Sequence, residues 1–191
     1  MSAYKRGRVL RGAAPFEPIK QHQYREVLPS LKVIFQGRCA YSMQHSDRAG
    51  ELEVDHFDPR QKNNPIQDYR NLFPASRLCN GKKWQHWPTA AEEGAGIRFL
   101  NPCEEMDYGE QIFEAADTHQ LFGVTPAARW HIRVCGLNSR CLVLERETRA
   151  RYWALIEKAG KSIETAPDQV KAVWEAFRAE VELMIPGIPE E

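Results

Sequence analysis

The stretch LEVDHFDPR, residues 52–60, restricts the possible folds more than any other segment of the chain. Leu52 and Val54 alternate with Glu53 and Asp55, the period-two pattern of a short strand, and Pro59 ends it. Asp55 and His56 therefore stand side by side at the end of a strand, where neither gains much from burial. After the loop DPRQKNNPIQDY a second short strand is expected at 71–75. SRLCNGKKWQHW then reads as a helix with Ser76 as its N-cap, weakened by Gly81. The local order is strand, loop, strand, helix.

Around this unit the pattern is that of an α+β protein. Residues 1–20 read as a basic, partly extended arm in which Pro15 and Pro18 discourage helix. A helix is expected over about 21–36, with Pro29 making a break or a new first turn. Residues 96–102, 111–116 and 120–124 are short strand or irregular candidates. Thr125 and Pro126 make a good helix start, with a stop near Gly136. A longer helix over about 139–159 has Cys141, Leu144, Tyr152, Leu155 and Ile156 on one face and should end at Gly160. A last helix over about 166–184 repeats the pattern with Val170, Val173, Trp174, Phe177, Val181 and Met184. Both stripes read as core. The expected organisation is an arm at 1–20, a core with its leading helix at 21–95, and short strands followed by C-terminal helices at 96–191.

A chain of 191 residues forms one domain, or one core with an appended helical lobe. No apolar run approaches the ~20 residues that span a bilayer. The basic N-terminal segment lacks the apolar centre of a secretory signal, so a cytoplasmic protein without membrane contact is expected. Five cysteines, an odd number without a framework spacing, argue against a disulfide scaffold. Residues 1–90 carry fifteen Lys/Arg against eight Asp/Glu, an excess of +7, and residues 91–191 carry eleven against eighteen, −7. The basic half suggests a polyanionic partner, and chance scatter of solvated charge is the equally weighted alternative.

The Asp55–His56 pair gains meaning from Asn71 and Asn80, 15 and 24 residues after His56. Each asparagine alone would be read as a turn or cap residue. Together, in this order and spacing, the four residues resemble the ββα-metal motif of the HNH nuclease superfamily, here in an H-N-N variant. The resemblance implies a one-metal phosphodiester hydrolase that leaves a 5′-phosphate and a 3′-hydroxyl. Mg²⁺ (or Mn²⁺) prefers oxygen ligands and keeps most of its waters, so the carboxylate of Asp55 and the amide of Asn80 would suffice to hold it. His56, with an ordinary pKa of roughly 6.5, is the natural general base. The resemblance gives Asn71 the task of holding the loop and orienting His56. Arg70, Arg77, Lys82 and Lys83 surround the motif and suit phosphate contacts. Trp84 and Trp87 suit base stacking, but tryptophan at a helix end is more often core, and that reading is weighted two to one. Asp58 reads as the start of the loop, and His86 falls six residues too late to be the motif's last member.

Beyond the motif, the phrases CAYS, LCNGKK, FLNPCEE and HIRVCGLNSRCLVLER resemble the PtuB-like group of small bacterial HNH proteins from Septu and retron systems, over about residues 36–158. That resemblance implies DNA as substrate, a role in phage defence and an ATPase partner. RNA stays open, because the motif reads a phosphodiester and neither sugar nor base. Many HNH relatives bind a structural zinc through two C-x-x-C pairs. Here these positions read Cys39…Ser42 and Ser76…Cys79, so a Cys₄ zinc site is not expected. The alternative function is a nucleic-acid-binding subunit with an HNH fold, inactive alone or dependent on a partner.

Overall fold

The computed structural model describes residues 8–104 and 110–187. Two short strands, β1 (Ile19–Lys20) and β3 (Ile66–Gln67), pair antiparallel. Between them, residues 21–27 form a 3₁₀ helix that runs into α1 (Leu28–Ile34), with Pro29 in its first turn. Pro29 thus makes the new first turn expected of it, because a residue without an N–H is tolerated at the start of a helix and not inside a continuous ladder. A turn-rich segment and the one-turn helix α2 (Ser46–Ala49) lead into β2 (Leu52–His56).

β2 pairs along its whole length with β4 (Leu72–Ser76), from Leu52 opposite Ser76 to His56 opposite Leu72. Pro74 sits inside β4, a strand with one sheet partner, and its carbonyl accepts from Ala40 N at 2.7 Å. α3 (Arg77–Lys83) follows at once, its first turn closed by the Cys79 N–H donating to Ser76 Oγ at 3.3 Å. Thr89 then caps α4 (Ala90–Gly94) in a reciprocal capping box with Glu92.

Residues 96–102 form no strand. Phe99 and Leu100 are buried, but the Leu100 N–H donates to His131 Nδ1 at 3.1 Å instead of to a neighbouring strand. β5 (Ile112–Glu114) and β6 (Leu121–Gly123) make an antiparallel pair. β6 lies so close to α5 (Pro126–Val134) that a Cβ at Gly123 would meet Arg129 N at 2.5 Å. Thr125 caps α5 by accepting from Ala128 N at 3.1 Å.

α6 (Arg140–Glu164) continues through Gly160, and α7 (Asp168–Glu182) folds back along it. The expected stop at Gly160 is overridden at a cost of about 1 kcal/mol relative to alanine. The expected core stripes are only partly core. Ile156, Val181 and Met184 are buried, whereas Cys141, Leu144, Leu155, Val170 and Val173 are exposed, and Leu142, outside the expected stripe, is buried in place of Cys141. The hairpin has a small cluster of its own around Ile156, Val181, Met184, Trp153, Trp174 and Phe177.

The main core runs without a break from Tyr41, Leu52, Ala75 and Cys79 to Leu100, Ile112, Trp130, Leu142 and Ile185. It places the strand–strand–helix unit directly against α5 and the start of α6. Two side chains tie distant segments to this unit. Arg11 lies over the Phe73 ring, 4.2 Å from its centroid, and donates to the carbonyls of Tyr69 and Leu72 at 2.6 Å each. Arg38 donates to the carbonyls of Glu182 at 2.6 Å and Met184 at 3.1 Å, meeting the negative end of α7. Among the described residues no helix is long and apolar enough to cross a membrane.

Candidate functional site

The β2–β4 pair and α3 bring Asp55, His56 and Asn80 to one cavity of about 590 Å³, which Glu53, Tyr24 and Trp84 also line. Asp55 and His56 are recessed, only 6% and 4% exposed. The Asp55 carboxylate makes its contacts through Oδ2, which pairs with Lys83 Nζ at 3.0 Å and accepts from the Tyr41 hydroxyl. Among the described residues Oδ1 has no partner, and it is not sealed from solvent. Burial pushes the Asp55 carboxyl up, and the Lys83 ammonium and Tyr41 hydroxyl oppose that shift.

The ring of His56 is fixed by Gln67, whose Oε1 lies 2.6 Å from Nε2. Gln67 Nε2 donates to the carbonyls of Lys62 and Asn64, so its Oε1 is the acceptor. His56 Nε2 must then carry the proton, which leaves the lone pair on Nδ1. Tyr24 packs against the imidazole at a centroid distance of 4.8 Å. Burial pulls the His56 pKa down, against the Gln67 hydrogen bond and the Asp55 charge, so the ring is neutral at neutral pH.

Asn71 makes no hydrogen bond to that ring. Its side chain clasps the backbone of Asp58 from both sides, with Asp58 N donating to Oδ1 at 2.7 Å and Nδ2 donating to Asp58 O at 3.1 Å. Its own carbonyl accepts from Phe57 N at 2.8 Å. Asn71 therefore fixes the loop after His56, while Gln67 orients the imidazole. Asp58 starts a 3₁₀ turn by accepting from Arg60 N at 2.9 Å. Asn80 Nδ2 donates to Glu53 Oε2 at 2.9 Å, and its amide oxygen has no partner among the described residues. The Asn80 hydrogen bond, with Arg77 behind it, holds the Glu53 carboxyl below the usual carboxylate range.

The four expected phosphate contacts separate. Lys83 is fully buried: its ammonium pairs with Asp55 and donates to the His56 carbonyl at 2.7 Å. It is the site's internal counter-ion and not a surface contact, a correction that follows from the rotation of about 100° per helical residue, which turns it inward while its neighbour Lys82 stays exposed. Lys82 lines a separate recess with Trp130 and Arg133, and Arg70 one beneath the N-terminal arm with Arg8 and Arg11. That second recess, about 1020 Å³, is larger than the His56 cavity, and no histidine is among the described residues that line it. Arg77 does line the His56 cavity, joined by Arg25 and Lys62, which the motif did not single out.

Trp87 packs against Phe57 and Phe99, as a core residue does. Trp84 departs from that expectation: it is 69% exposed, at φ 44° and ψ −124°. Such a backbone costs a residue with a Cβ about 1–3 kcal/mol.

Among the described residues no three His, Cys, Asp or Glu side chains gather into a metal-binding cluster. The Cys39 and Cys79 thiols are buried in the same core cluster, and all five cysteines are free. A hard cation that keeps its waters needs only one or two carboxylates. The unpartnered oxygens of Asp55 and Asn80 fit that requirement. Gln67, Tyr41 and Lys83 escaped sequence reasoning in these roles, since none stands at a motif position that marks its partner. No protein-family model, no curated protein and no solved structure significantly matches this chain.

Proposed function

We propose that this chain is a metal-dependent endonuclease of the HNH type, built on a ββα-metal core, that hydrolyses phosphodiester bonds in DNA. The observation that carries the reading is the His56 imidazole, held by Gln67 with its Nδ1 lone pair free, in the same cavity as the unpartnered oxygens of Asp55 and Asn80. A structural histidine has no use for that arrangement.

In this reading Asp55 and Asn80 would hold Mg²⁺ or Mn²⁺ through the oxygens they leave unpartnered. The bound ion supplies charge shielding for the reacting phosphate and stabilisation of the leaving oxygen. His56 Nδ1 takes the proton of the attacking water, and Gln67 keeps the ring in the correct tautomer. Lowering of the His56 pKa by burial keeps the base unprotonated at neutral pH. Asn71 keeps the loop closed behind the base. Arg25, Lys62 and Arg77 neutralise flanking phosphates. The sequence resemblance alone extends the proposal to phage defence beside an ATPase, in the cytoplasm, with RNA as a further substrate to be tested.

A second reading draws on Lys83. Its ammonium already neutralises the carboxylate that would hold the metal, which suits a nucleic-acid-binding subunit silent until a partner rearranges the site. A cleavage assay on supercoiled plasmid, linear duplex and single-stranded RNA, with Mg²⁺, Mn²⁺ or EDTA, separates the two. Metal-dependent cleavage that His56→Ala abolishes, at unchanged melting temperature, is the expected result. Salt-sensitive binding without cleavage would replace the first reading by the second.

A further inference from the structure

Trp84 follows α3 directly, and its N–H closes that helix by donating to Asn80 O at 2.8 Å. Its indole makes no ring contact among the described residues, unlike Trp87 three positions on. Glycine would adopt this backbone freely, so neither local conformation nor packing accounts for a tryptophan here. Its position does suggest a use. Trp84 lines the cavity of His56, Asp55 and Asn80 together with Arg25, Lys62 and Arg77, and it is largely exposed there.

Building on the nuclease reading, we propose that Trp84 is a stacking platform for an unpaired nucleobase next to the phosphate bound in the His56 cavity. Because Asp55 and His56 are recessed, a phosphodiester has to enter the cavity to reach them. A strand whose bases have left the duplex stack enters with least deformation, and an exposed indole at the rim offers the displaced base a new partner. Bases inside a duplex are already stacked and gain nothing from it. The cations in the cavity hold the backbone without reading sequence, so the site favours single-stranded or flapped nucleic acid.

The test is fluorescence anisotropy of a short labelled single strand with the full chain in EDTA, where no cleavage intervenes. Trp84→Ala should weaken binding about 5- to 150-fold, the range expected for losing one stacked base. Trp84→Phe should keep most of the affinity. A strand of abasic sugar-phosphates should bind wild type and Trp84→Ala equally, and a blunt duplex should not distinguish them either. Melting temperatures of Trp84→Ala and Trp84→Gly should not fall below that of wild type. Equal loss on intact and abasic strands, or no loss on either, would overturn the proposal. Binding is read without metal, so absent cleavage beside a base-dependent loss defeats only the nuclease reading. Intact cleavage without base dependence defeats only the stacking platform.

Discussion

Lys83→Met puts the Asp55–Lys83 pair to a direct test. The ammonium is fully buried, 3.0 Å from Asp55 Oδ2, and its removal strands a carboxylate whose remaining partner is the Tyr41 hydroxyl. Coulomb's law at that distance and an effective dielectric of about 20 gives a gross attraction of about 5.5 kcal/mol. Desolvation offsets part of it, and removing one partner of a buried pair costs about 3–5 kcal/mol. That is a large share of the ~5–15 kcal/mol that holds a domain together. At ~2–4 °C per kcal/mol for a chain of this size, the melting temperature should fall by about 6–20 °C. Urea and thermal unfolding followed by far-UV circular dichroism read the change. Adding Asp55→Asn removes the stranded charge, so the double variant should recover part of the loss instead of summing it. Were Lys83 a phosphate contact, Lys83→Met would spare stability and lower nucleic-acid affinity, with the salt slope reduced by about 1. That pattern, or simple additivity in the double variant, would refute the buried-pair argument.

Gln67→Ala should slow cleavage about 10- to 100-fold with the metal midpoint unchanged, because it frees the ring and not the ligands. Gln67→Glu should restore orientation but, by placing a negative charge beside the imidazole, move the acid limb of the pH–rate profile upward. A merely structural Gln67 would leave that limb in place. Gly123→Ala should destabilise the protein by about 1–3 kcal/mol in urea unfolding, since its Cβ would meet Arg129 N at 2.5 Å and the helix backbone cannot step aside.

Local signals in the sequence are the ones the structure repeats. The alternation of residues 52–56 is β2, Ser76 caps α3, and Thr125 with Pro126 starts α5, because each depends on residues within a few positions of one another. Contacts made across the fold were not legible. Tyr41 reaches Asp55 from 14 residues away, and Gln67 reaches His56 from 11. Lys82 and Lys83 look alike in sequence, yet one step along a helix turns the first to solvent and the second into the core. The stripes of α6 and α7 were visible as stripes, but periodicity does not say how much of a stripe a neighbour covers.

The contacts of Arg38 with the carbonyls of Glu182 and Met184 bear on when the site can form during synthesis. Arg38 also donates to Met43 O at 2.9 Å, so the turn carrying Tyr41 is anchored through segments about 145 residues apart. Ribosomes add ~5–20 residues per second, and the strand–strand–helix unit emerges well before residues 182–184. Until those residues arrive, Arg38 lacks its far partners and the turn bearing Tyr41 lacks its anchor. A growing chain thus carries the unit that contains His56 for several seconds before its surroundings are fixed. For a protein proposed to cut nucleic acid, this delay would keep the nascent chain quiet beside the messenger that encodes it.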